Sequence, residues 1–361
     1  MKILFAGTPQ AAVPALRALA SSQEVVAVLT RKDAVRSRGR KATPSPVKQA
    51  AQELGIPVFD GKPGDPDFLE RIHELGVQAA VVVAYGRILR QPVLDAVPLG
   101  WFNIHFSLLP ELRGAAPVQR SIWLGDKKTG ISIFQLDAGM DTGKLLAQRE
   151  MAIEDEPNAG DLMMSMAELG AQMIIEQMAS VEKEAATDPT LASLLHVQPE
   201  LTDPSRALAQ KISMEDAQVK WDKPASVVSA HARACNPDPG AFTTVYKAGK
   251  SAVEGAAHVT AQDAAQVTAQ DAASEEGERL RLNAVHTARA DEPALASALQ
   301  AQGLEAAALH PGDLVVSKKH VWVACETDFL ELLVVTAPGK KTMRAADWAR
   351  GARLQAGAHC E

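Results

Sequence analysis

The sequence predicts an open, doubly wound α/β domain with a mostly parallel sheet, followed by a smaller, OB-like β-barrel domain. Strand-like and helix-like segments alternate along the first 185 residues, and several strand-like segments are unbroken apolar runs. Such runs are typical of parallel strands that helices cover on both faces. Short strand-like segments separated by turns follow in the second half of the chain, which is typical of a small barrel. A length of 361 residues is consistent with two domains.

The first domain is predicted to span residues 1–185. Its first strand ends at Gly7, and Thr8 and Pro9 then form a helix-start signal. The turn lacks G-x-G-x-x-G, so we interpret Gly7 as a tight turn rather than as part of a dinucleotide site. The predicted strands are Lys2–Ala6, Val25–Leu29, Ala79–Ala84, Phe102–Phe106 and Ile131–Leu136. The predicted helices are Gln10–Ala20, Ser45–Leu54, Phe68–Leu75 and Pro157–Val181.

A linker is predicted over residues 186–205, where Pro, Asp, Thr and Ser are frequent. The second domain is then predicted to span residues 206–361. Its predicted helices are Ala207–Val219 and Ala225–Cys235. Its predicted strands are Phe242–Tyr246, Asp313–Val316, Val321–Cys325 and Leu330–Val335.

Residues 250–309 are predicted to form an acidic insertion in the second domain. The heptapeptide VTAQDAA occurs twice, at Val259–Ala265 and Val267–Ala273. Between Ser251 and Leu309 there are nine acidic residues and three arginines. We interpret this stretch as a solvated surface insertion, with an acidic regulatory tail as the alternative.

Composition excludes several classes of protein. The formal net charge is −7, so any contact with nucleic acid must come from local basic patches. The three cysteines lie far apart in the chain, which argues against a disulfide framework and against a cysteine zinc site. No apolar run reaches the ~18 residues of a membrane span. We therefore predict a cytoplasmic protein that does not contact a membrane.

Polar residues that could perform chemistry are concentrated between residues 103 and 143. Asn103 and His105 alternate along one predicted strand, so their side chains point to the same face. Asp141 follows the next strand, in a loop that contains Gly139 and Gly143. An Asn, a His and an Asp at strand ends can form an oxyanion-binding and acid/base set. Ser107 lacks a nucleophile elbow, which argues against a serine hydrolase.

These residues carry a resemblance to a known family. The segments N-I-H-F-S-L-L-P-E-L-R-G-A-A-P and D-A-G-M-D-T-G, at residues 103–117 and 137–143, resemble those of the folate-dependent formyltransferases. Further matching segments run along nearly the whole chain, and are F-A-G-T-P, R-G-R-K, P-S-P-V-K, V-V-V-A-Y-G, R-A-C-N-P-D-P and P-G-K-K. The flanking segments resemble most the members that act on initiator methionyl-tRNA.

The resemblance implies a catalytic set of Asn103, His105 and Asp141, and no metal. The formyl donor would be 10-formyltetrahydrofolate, and the acceptor the α-amino group of methionine on initiator tRNA. Asn103 and a protonated His105 would donate hydrogen bonds to the oxyanion of the tetrahedral intermediate, while Asp141 would stabilise the imidazolium and help relay the proton of the amine. The folate-binding residues would be Ser107, Leu108, Leu109 and Pro110, together with Ala84, Tyr85 and Gly86.

Two features depart from the family pattern, and other functions stay open. Phe106 stands where the family usually has a small residue, which would narrow the pocket or shift the loop, and the acidic insertion is absent from the usual pattern. One alternative is the same chemistry on a nucleotide-linked amino sugar, or hydrolysis of formyl-folate. Another is a non-catalytic RNA-binding protein on the same scaffold, against which the intact Asn103, His105 and Asp141 argue.

Two basic segments are the candidate tRNA-binding surfaces. Arg31–Lys41 contains six basic residues and one Asp, and it follows a strand at the sheet edge where the active site is expected. Arg and Lys there could hold phosphates. By the resemblance, Arg38 matches an arginine that enters the acceptor stem, with Arg36, Arg40 and Lys41 beside it. Lys340 and Lys341 follow the last long predicted strand, and basic rims of small barrels commonly bind nucleic acid. We predict a monomer.

Overall fold

The chain forms two compact units. The computed structural model describes residues 1–33, 42–247, 277–354 and 357–361. The first unit comprises Met1–Ser121, Asp126–Glu154 and Asp161–Lys211. The second comprises Ile122–Gly125, Asp155–Gly160 and Ile212–Glu361.

The first unit is built on a seven-stranded sheet with the order β3-β2-β1-β4-β5-β7-β8. Strands β1 to β5 run parallel to one another, and β7 pairs antiparallel with both of its neighbours, β5 and β8. The strands are β1 (Lys2–Gly7), β2 (Glu24–Leu29), β3 (Val58–Phe59), β4 (Ala79–Val83), β5 (Trp101–His105), β6 (Arg113–Gly114), β7 (Lys128–Gln135), β8 (Leu145–Ala152) and β9 (Leu208–Ala209). The helices are α1 (Val13–Ser22), α2 (Pro46–Glu53), α3 (Pro66–Glu74), α4 (Gln91–Asp95), α5 (Pro117–Trp123) and α6 (Ala159–Ala185). The predicted mostly parallel α/β domain is confirmed.

Burial of the central strands fixes this sheet. All five residues of β4 are buried, and β1 is buried from its second residue onward. On one face, Phe68 and Ile72 of α3 and Val93 of α4 pack on Leu4 and Val82. The carboxyl ends of β1, β4 and β5 therefore lie side by side at one edge, which is where such sheets bind ligands.

The second unit is an antiparallel sheet with the order β12-β13-β14-β11-β10-β16, and β15 pairs with β14. Its elements are α7 (Ala225–Ala234), β10 (Phe242–Tyr246), β11 (Glu278–Ala288), α8 (Pro293–Gln302), β12 (Leu314–Val316), β13 (Val321–Ala324), β14 (Phe329–Thr336), β15 (Met343–Arg344), α9 (Ala345–Ala352) and β16 (His359–Cys360). A bridge between Asp313 and His359 joins the two ends of the sheet, so the sheet is nearly closed. This arrangement confirms the predicted barrel.

The predicted acidic insertion is wrong over residues 278–309. Residues 278–288 form β11, which pairs with both β10 and β14. Leu280 and Leu282 alternate along it and are buried, while Leu295 and Leu299 bury one face of α8. The acidic composition of the surrounding stretch obscured this alternation. Residues 250–276, including both copies of the repeat, lie outside the described residues.

The segment that follows α6 also differs from expectation. The predicted linker packs on the first unit, since Leu191 and Leu195 are buried and His196 pairs with Leu145. The predicted helix Ala207–Val219 is wrong, because β9 at its start pairs with β6. Backbone pairing with another segment overrides the local helical propensity there.

In the part of the chain that the structure describes, no helix is both long enough and apolar enough to cross a membrane.

Candidate active site

Strand β5 carries two of the predicted catalytic residues to the edge of the sheet. It lies between β4 and β7, so Asn103 is opposite Val82 on one side and Phe134 on the other. Asn103 is half-buried and His105 is buried. Both border a cleft of about 830 Å³, which Asp141 also borders. The structure thus brings the three predicted catalytic residues together.

The hydrogen-bond partners of His105 define which ring nitrogen carries its proton. Nε2 lies 3.0 Å from the carbonyl oxygen of Leu112. Because a carbonyl oxygen only accepts, Nε2 must donate, and the lone pair of the neutral ring then lies on Nδ1. Nδ1 is 3.8 Å from Oδ2 of Asp141, which is too long for a direct hydrogen bond but leaves the carboxylate beside the ring.

Burial lowers the pKa of His105 below its ordinary value of 6.5. The charge of Asp141, and the hydrogen bond to the Leu112 carbonyl, oppose this effect without reversing it. Burial therefore favours the neutral form of the His105 ring in the resting protein. The expectation that a protonated His105 donates to the oxyanion concerns the intermediate and stays a prediction; in the neutral ring, Nδ1 is a proton acceptor.

Asp141 occupies an unusual backbone conformation that its contacts stabilise. Its φ is +53°, in the left-handed region that few residues other than glycine adopt. The backbone N–H of Gly114 donates to Oδ2 over 2.8 Å. Two residues further along, a side chain at Gly143 would place its Cβ 1.8 Å from the carbonyl oxygen of Gln135, so only glycine fits there. Strained positions of this kind are concentrated at functional sites.

The loop after β4 forms the opposite part of the cleft. Ala84, Tyr85 and Gly86 border the cleft, and their binding of folate stays a prediction. Ala84 has a φ of +47°, and Thr8 donates to the carbonyl oxygen of Tyr85 over 3.0 Å. The segment that follows β1 therefore supports this loop.

Ser107–Pro110, also predicted to bind folate, do not border this cleft. The Ser107 hydroxyl donates to the carbonyl oxygen of Glu111 over 2.7 Å. The Ser132 hydroxyl donates to the carbonyl of Ser107 over 2.7 Å and accepts from the N–H of Leu109 over 2.9 Å. These bonds fix the loop that follows His105. Phe106 is buried and does border the cleft, so it occupies space there as expected.

Sequence reasoning missed the apolar residues of the cleft. Ile88 is 89% exposed and Met140 is 63% exposed, although both are large and apolar. Leu89, Leu94 and Leu136 continue this surface deeper into the cleft. Exposed apolar side chains that border a cleft are available to an apolar ligand surface. For Ile88 and Met140, the sequence signal is their position in loops beside the motifs.

The structure describes the second predicted tRNA-binding segment but not the key residues of the first. Arg36, Arg38, Arg40 and Lys41 lie outside the described residues. Lys340 and Lys341 are exposed in the turn between β14 and β15 of the second unit. Nearby, Arg344 and Arg350 both pair with Asp347, which reduces the positive charge they contribute.

The fold and the site together define a group-transfer enzyme. An amide donor, a neutral histidine and a carboxylate meet at the carboxyl edge of an α/β sheet, beside a cleft with apolar and backbone groups. This set can stabilise an oxyanion and move one proton. Within the described ranges, no group of three or more His, Cys, Asp or Glu is arranged to hold a metal ion.

The chain belongs to the formyl transferase family. The formyl transferase model matches residues 1–178, and the formyl transferase C-terminal domain model matches residues 211–353. A methionyl-tRNA formyltransferase from Bifidobacterium adolescentis is 44% identical over the whole of both chains. One from Streptomyces coelicolor is 40% identical, over 99% of this chain and 98% of the relative.

Solved structures share the fold at low sequence identity. An N-formyltransferase from Helicobacter canadensis, in complex with folinic acid and dTDP-3-aminofucose, has a TM-score of 0.57 and 14% identity over 92% of this chain and 98% of its own. HypX from Aquifex aeolicus, in complex with tetrahydrofolic acid, has a TM-score of 0.58 and 14% identity. The match covers 99% of this chain and 48% of HypX.

Proposed function

We propose that this enzyme transfers the formyl group of 10-formyltetrahydrofolate to the α-amino group of methionine on initiator tRNA. The formylated tRNA is then used in translation initiation. Relatives that match the whole chain at 40–44% identity are methionyl-tRNA formyltransferases, which supports this acceptor. The observation that carries the chemistry is the meeting of Asn103, His105 and Asp141 at one cleft. We assign catalysis to these three residues.

Asn103 stabilises the charge that develops on the formyl oxygen. The neutral α-amine attacks the formyl carbon, a C–N bond forms, and the carbonyl oxygen becomes an oxyanion. The side-chain amide of Asn103 offers N–H donors at the carboxyl end of β5, which is the role of an oxyanion hole. Because β5 pairs with both β4 and β7, the backbone that carries this donor is held in place before the substrates bind.

His105 moves the proton that the attacking amine must lose. Nδ1 accepts it, directly or through a water molecule in the space beside Asp141, because Nε2 is already committed to the Leu112 carbonyl. The imidazolium that forms is stabilised by the Asp141 carboxylate 3.8 Å away. The same proton then passes to N10 of the folate as the C–N10 bond breaks, which releases tetrahydrofolate and regenerates neutral His105.

The folate donor occupies the cleft in this proposal. A volume of about 830 Å³ is ample for a small-molecule site, and its surface combines apolar side chains with backbone groups. The backbone of Ala84–Gly86 contacts the pterin ring, while Ile88 and Met140 cover apolar parts of the donor. Ser107–Pro110 act from outside the cleft, by fixing the loop that carries Phe106 into it.

The tRNA contacts are assigned to the two basic segments. Arg36, Arg38, Arg40 and Lys41 contact phosphates near the acceptor end, with Arg38 making the principal contact. Lys340 and Lys341 contact phosphates elsewhere on the tRNA, since both are exposed in a turn of the second unit. The monomeric state and the cytoplasmic location stay predictions.

An acceptor panel tests the proposal. The enzyme and 10-formyltetrahydrofolate are incubated with methionyl initiator tRNA, methionyl elongator tRNA, a nucleotide-linked amino sugar or buffer alone, and the products are identified by mass spectrometry. We expect formylation of the initiator methionyl-tRNA at a rate well above that of the other acceptors. Formylation of the sugar alone, or hydrolysis of the donor in every reaction, would contradict the proposal.

A further inference from the structure

One side chain from the segment after α6 reaches the loop that carries Asp141. Gln198 is half-buried, whereas its neighbour Val197 is 80% exposed. Its Nε2 donates to the carbonyl oxygen of Asp141 over 2.8 Å and to that of Gly143 over 2.9 Å. Only the amide nitrogen can donate to two carbonyls, so these contacts fix which way the amide faces.

The other end of the Gln198 amide is also engaged. Nη2 of Arg113 donates to Oε1 of Gln198 over 2.7 Å. Both donors and the acceptor of this side chain are therefore used. The amide connects the loop at residues 141–143 to the segment at residues 112–114, and neither connection is visible in local sequence.

The segment Leu112–Gly114 contacts both members of the His105–Asp141 pair. The Leu112 carbonyl accepts from His105, and the Gly114 N–H donates to Asp141. Leu112 and Asp141 both have left-handed φ values, of +56° and +53°. Two strained segments therefore hold the pair, and Gln198 and Arg113 join these segments to each other.

We propose that Gln198 is a positioning residue for Asp141, which it holds beside Nδ1 of His105. This inference rests on the proposed function and adds to it a residue outside the catalytic motifs. Without the two donated hydrogen bonds, the loop at 141–143 loses its tie to Gln198, and the carboxylate is no longer fixed against the imidazolium that forms during transfer. A substitution far from the reacting atoms that displaces a catalytic group by about 1 Å can slow a reaction by roughly 10²-fold.

Two substitutions of Gln198 and one control substitution test the role of the hydrogen bonds made by its amide. Gln198→Leu removes all three hydrogen bonds, and Gln198→Glu keeps the acceptor for Arg113 but removes both donors. Gln302 is the control, because its amide also donates to two backbone carbonyls, those of Ala298 and Val316, in the second unit. Thermal unfolding of each variant identifies any that fail to fold. If Gln198→Leu fails to fold, Gln198→Glu still tests the proposal, because its side chain is polar and keeps the contact with Arg113.

Steady-state kinetics, with each substrate varied in turn while the other is saturating, provide the first readout. We expect both Gln198 variants to lower kcat by roughly 10-fold to 10²-fold, with KM for tRNA and for folate changed by less than about twofold. In an Asp141→Asn background, the same Gln198→Leu change should cost less than about threefold, because residues that act through one another are not additive. Equal costs in both backgrounds, or a Gln198→Glu variant with wild-type kcat, would overturn the proposal.

The amide signal of Gly114 provides a readout that does not depend on turnover. Its N–H donates to Asp141, so its proton chemical shift reports the position of that carboxylate. We expect Gln198→Leu and Asp141→Asn to shift this signal upfield, and Gln302→Leu to leave it in place. An unchanged Gly114 signal in Gln198→Leu would overturn the positioning role. Absence of formyl transfer by the wild type would instead contradict the proposed function and leave the amide test intact.

Discussion

Replacing Asp141 by Asn tests the electrostatic part of the mechanism. Asparagine has nearly the same shape and tolerates the left-handed φ of +53°, so the backbone of the loop is retained. The substitution removes one negative charge 3.8 Å from Nδ1 of His105. Opposite unit charges at that separation attract by about 4 kcal/mol at an effective dielectric constant of 20.

Only part of that attraction is lost in the measurement. Asp141 is 17% exposed, so water screens it, and the asparagine dipole replaces some of the interaction. A loss of about 1.5–3 kcal/mol in stabilisation of the imidazolium corresponds to a rate lower by roughly 10-fold to 10²-fold. We expect this decrease in the single-turnover rate at pH 7, with folate binding unchanged.

The pH dependence of the same variant gives a second expectation with a definite sign. Nδ1 must be unprotonated to accept the proton, so activity rises with pH as His105 loses its proton. Asp141 raises the pKa of His105 against the larger, lowering effect of burial. Its removal lowers this pKa further, so the acid limb of the kcat/KM profile should move to lower pH while the plateau falls. A wild-type plateau, or an acid limb that moves to higher pH, would refute this account of the pair.

The remaining predictions concern the tRNA contacts, the repeat and the loop after His105. Arg38→Ala should weaken use of methionyl initiator tRNA and reduce the salt dependence of that reaction, while folate binding stays unchanged. Arg38→Lys should restore tRNA use only in part. An equal loss of folate binding would show that the loop does not act by contacting the tRNA acceptor end. Deletion of Val259–Ala273 should leave turnover and melting temperature unchanged, because the connected strands β10 and β11 pair directly, and a large loss of either would refute the surface assignment. Ser132→Ala should lower the free energy of unfolding by about 2–3 kcal/mol in urea titrations, because it leaves buried backbone groups unpaired. Ser121 is also buried, and its hydroxyl donates to the carbonyl oxygen of Val118 in the same helix, so Ser121→Ala should cost clearly less. Equal losses in the two variants would contradict the role of Ser132.

The pattern of apolar residues along the chain predicted the strands whose burial it directly reflects. Strands β1 and β4 are apolar on both faces because helices cover the sheet, so their runs are unbroken. Strand β8 was missed because its last six positions are half-buried or exposed, and its polar residues interrupt the alternation. Strand β11 was missed because the acidic composition around it outweighed the alternation of Leu280 and Leu282.

The candidate site was likewise predicted only where the local sequence determines it. Asn103 and His105 are two residues apart on one strand, so the period of a strand predicts that they share a face. The Leu112 carbonyl and Gln198 were not predicted, since each contact joins segments whose proximity the fold alone determines. The lowered pKa of His105 results from its burial, which a motif does not reveal.

Single-turnover formation of formylmethionyl initiator tRNA tests the central claim most directly. The wild type is compared with Asn103→Ala, His105→Ala and Asp141→Ala, each shown to be folded by its melting curve, at saturating 10-formyltetrahydrofolate. We predict rapid product formation by the wild type and rates lower by roughly 10²-fold or more in each variant. A wild type that forms no formylmethionyl-tRNA, or three variants that form it at near-wild-type rates, would contradict the account.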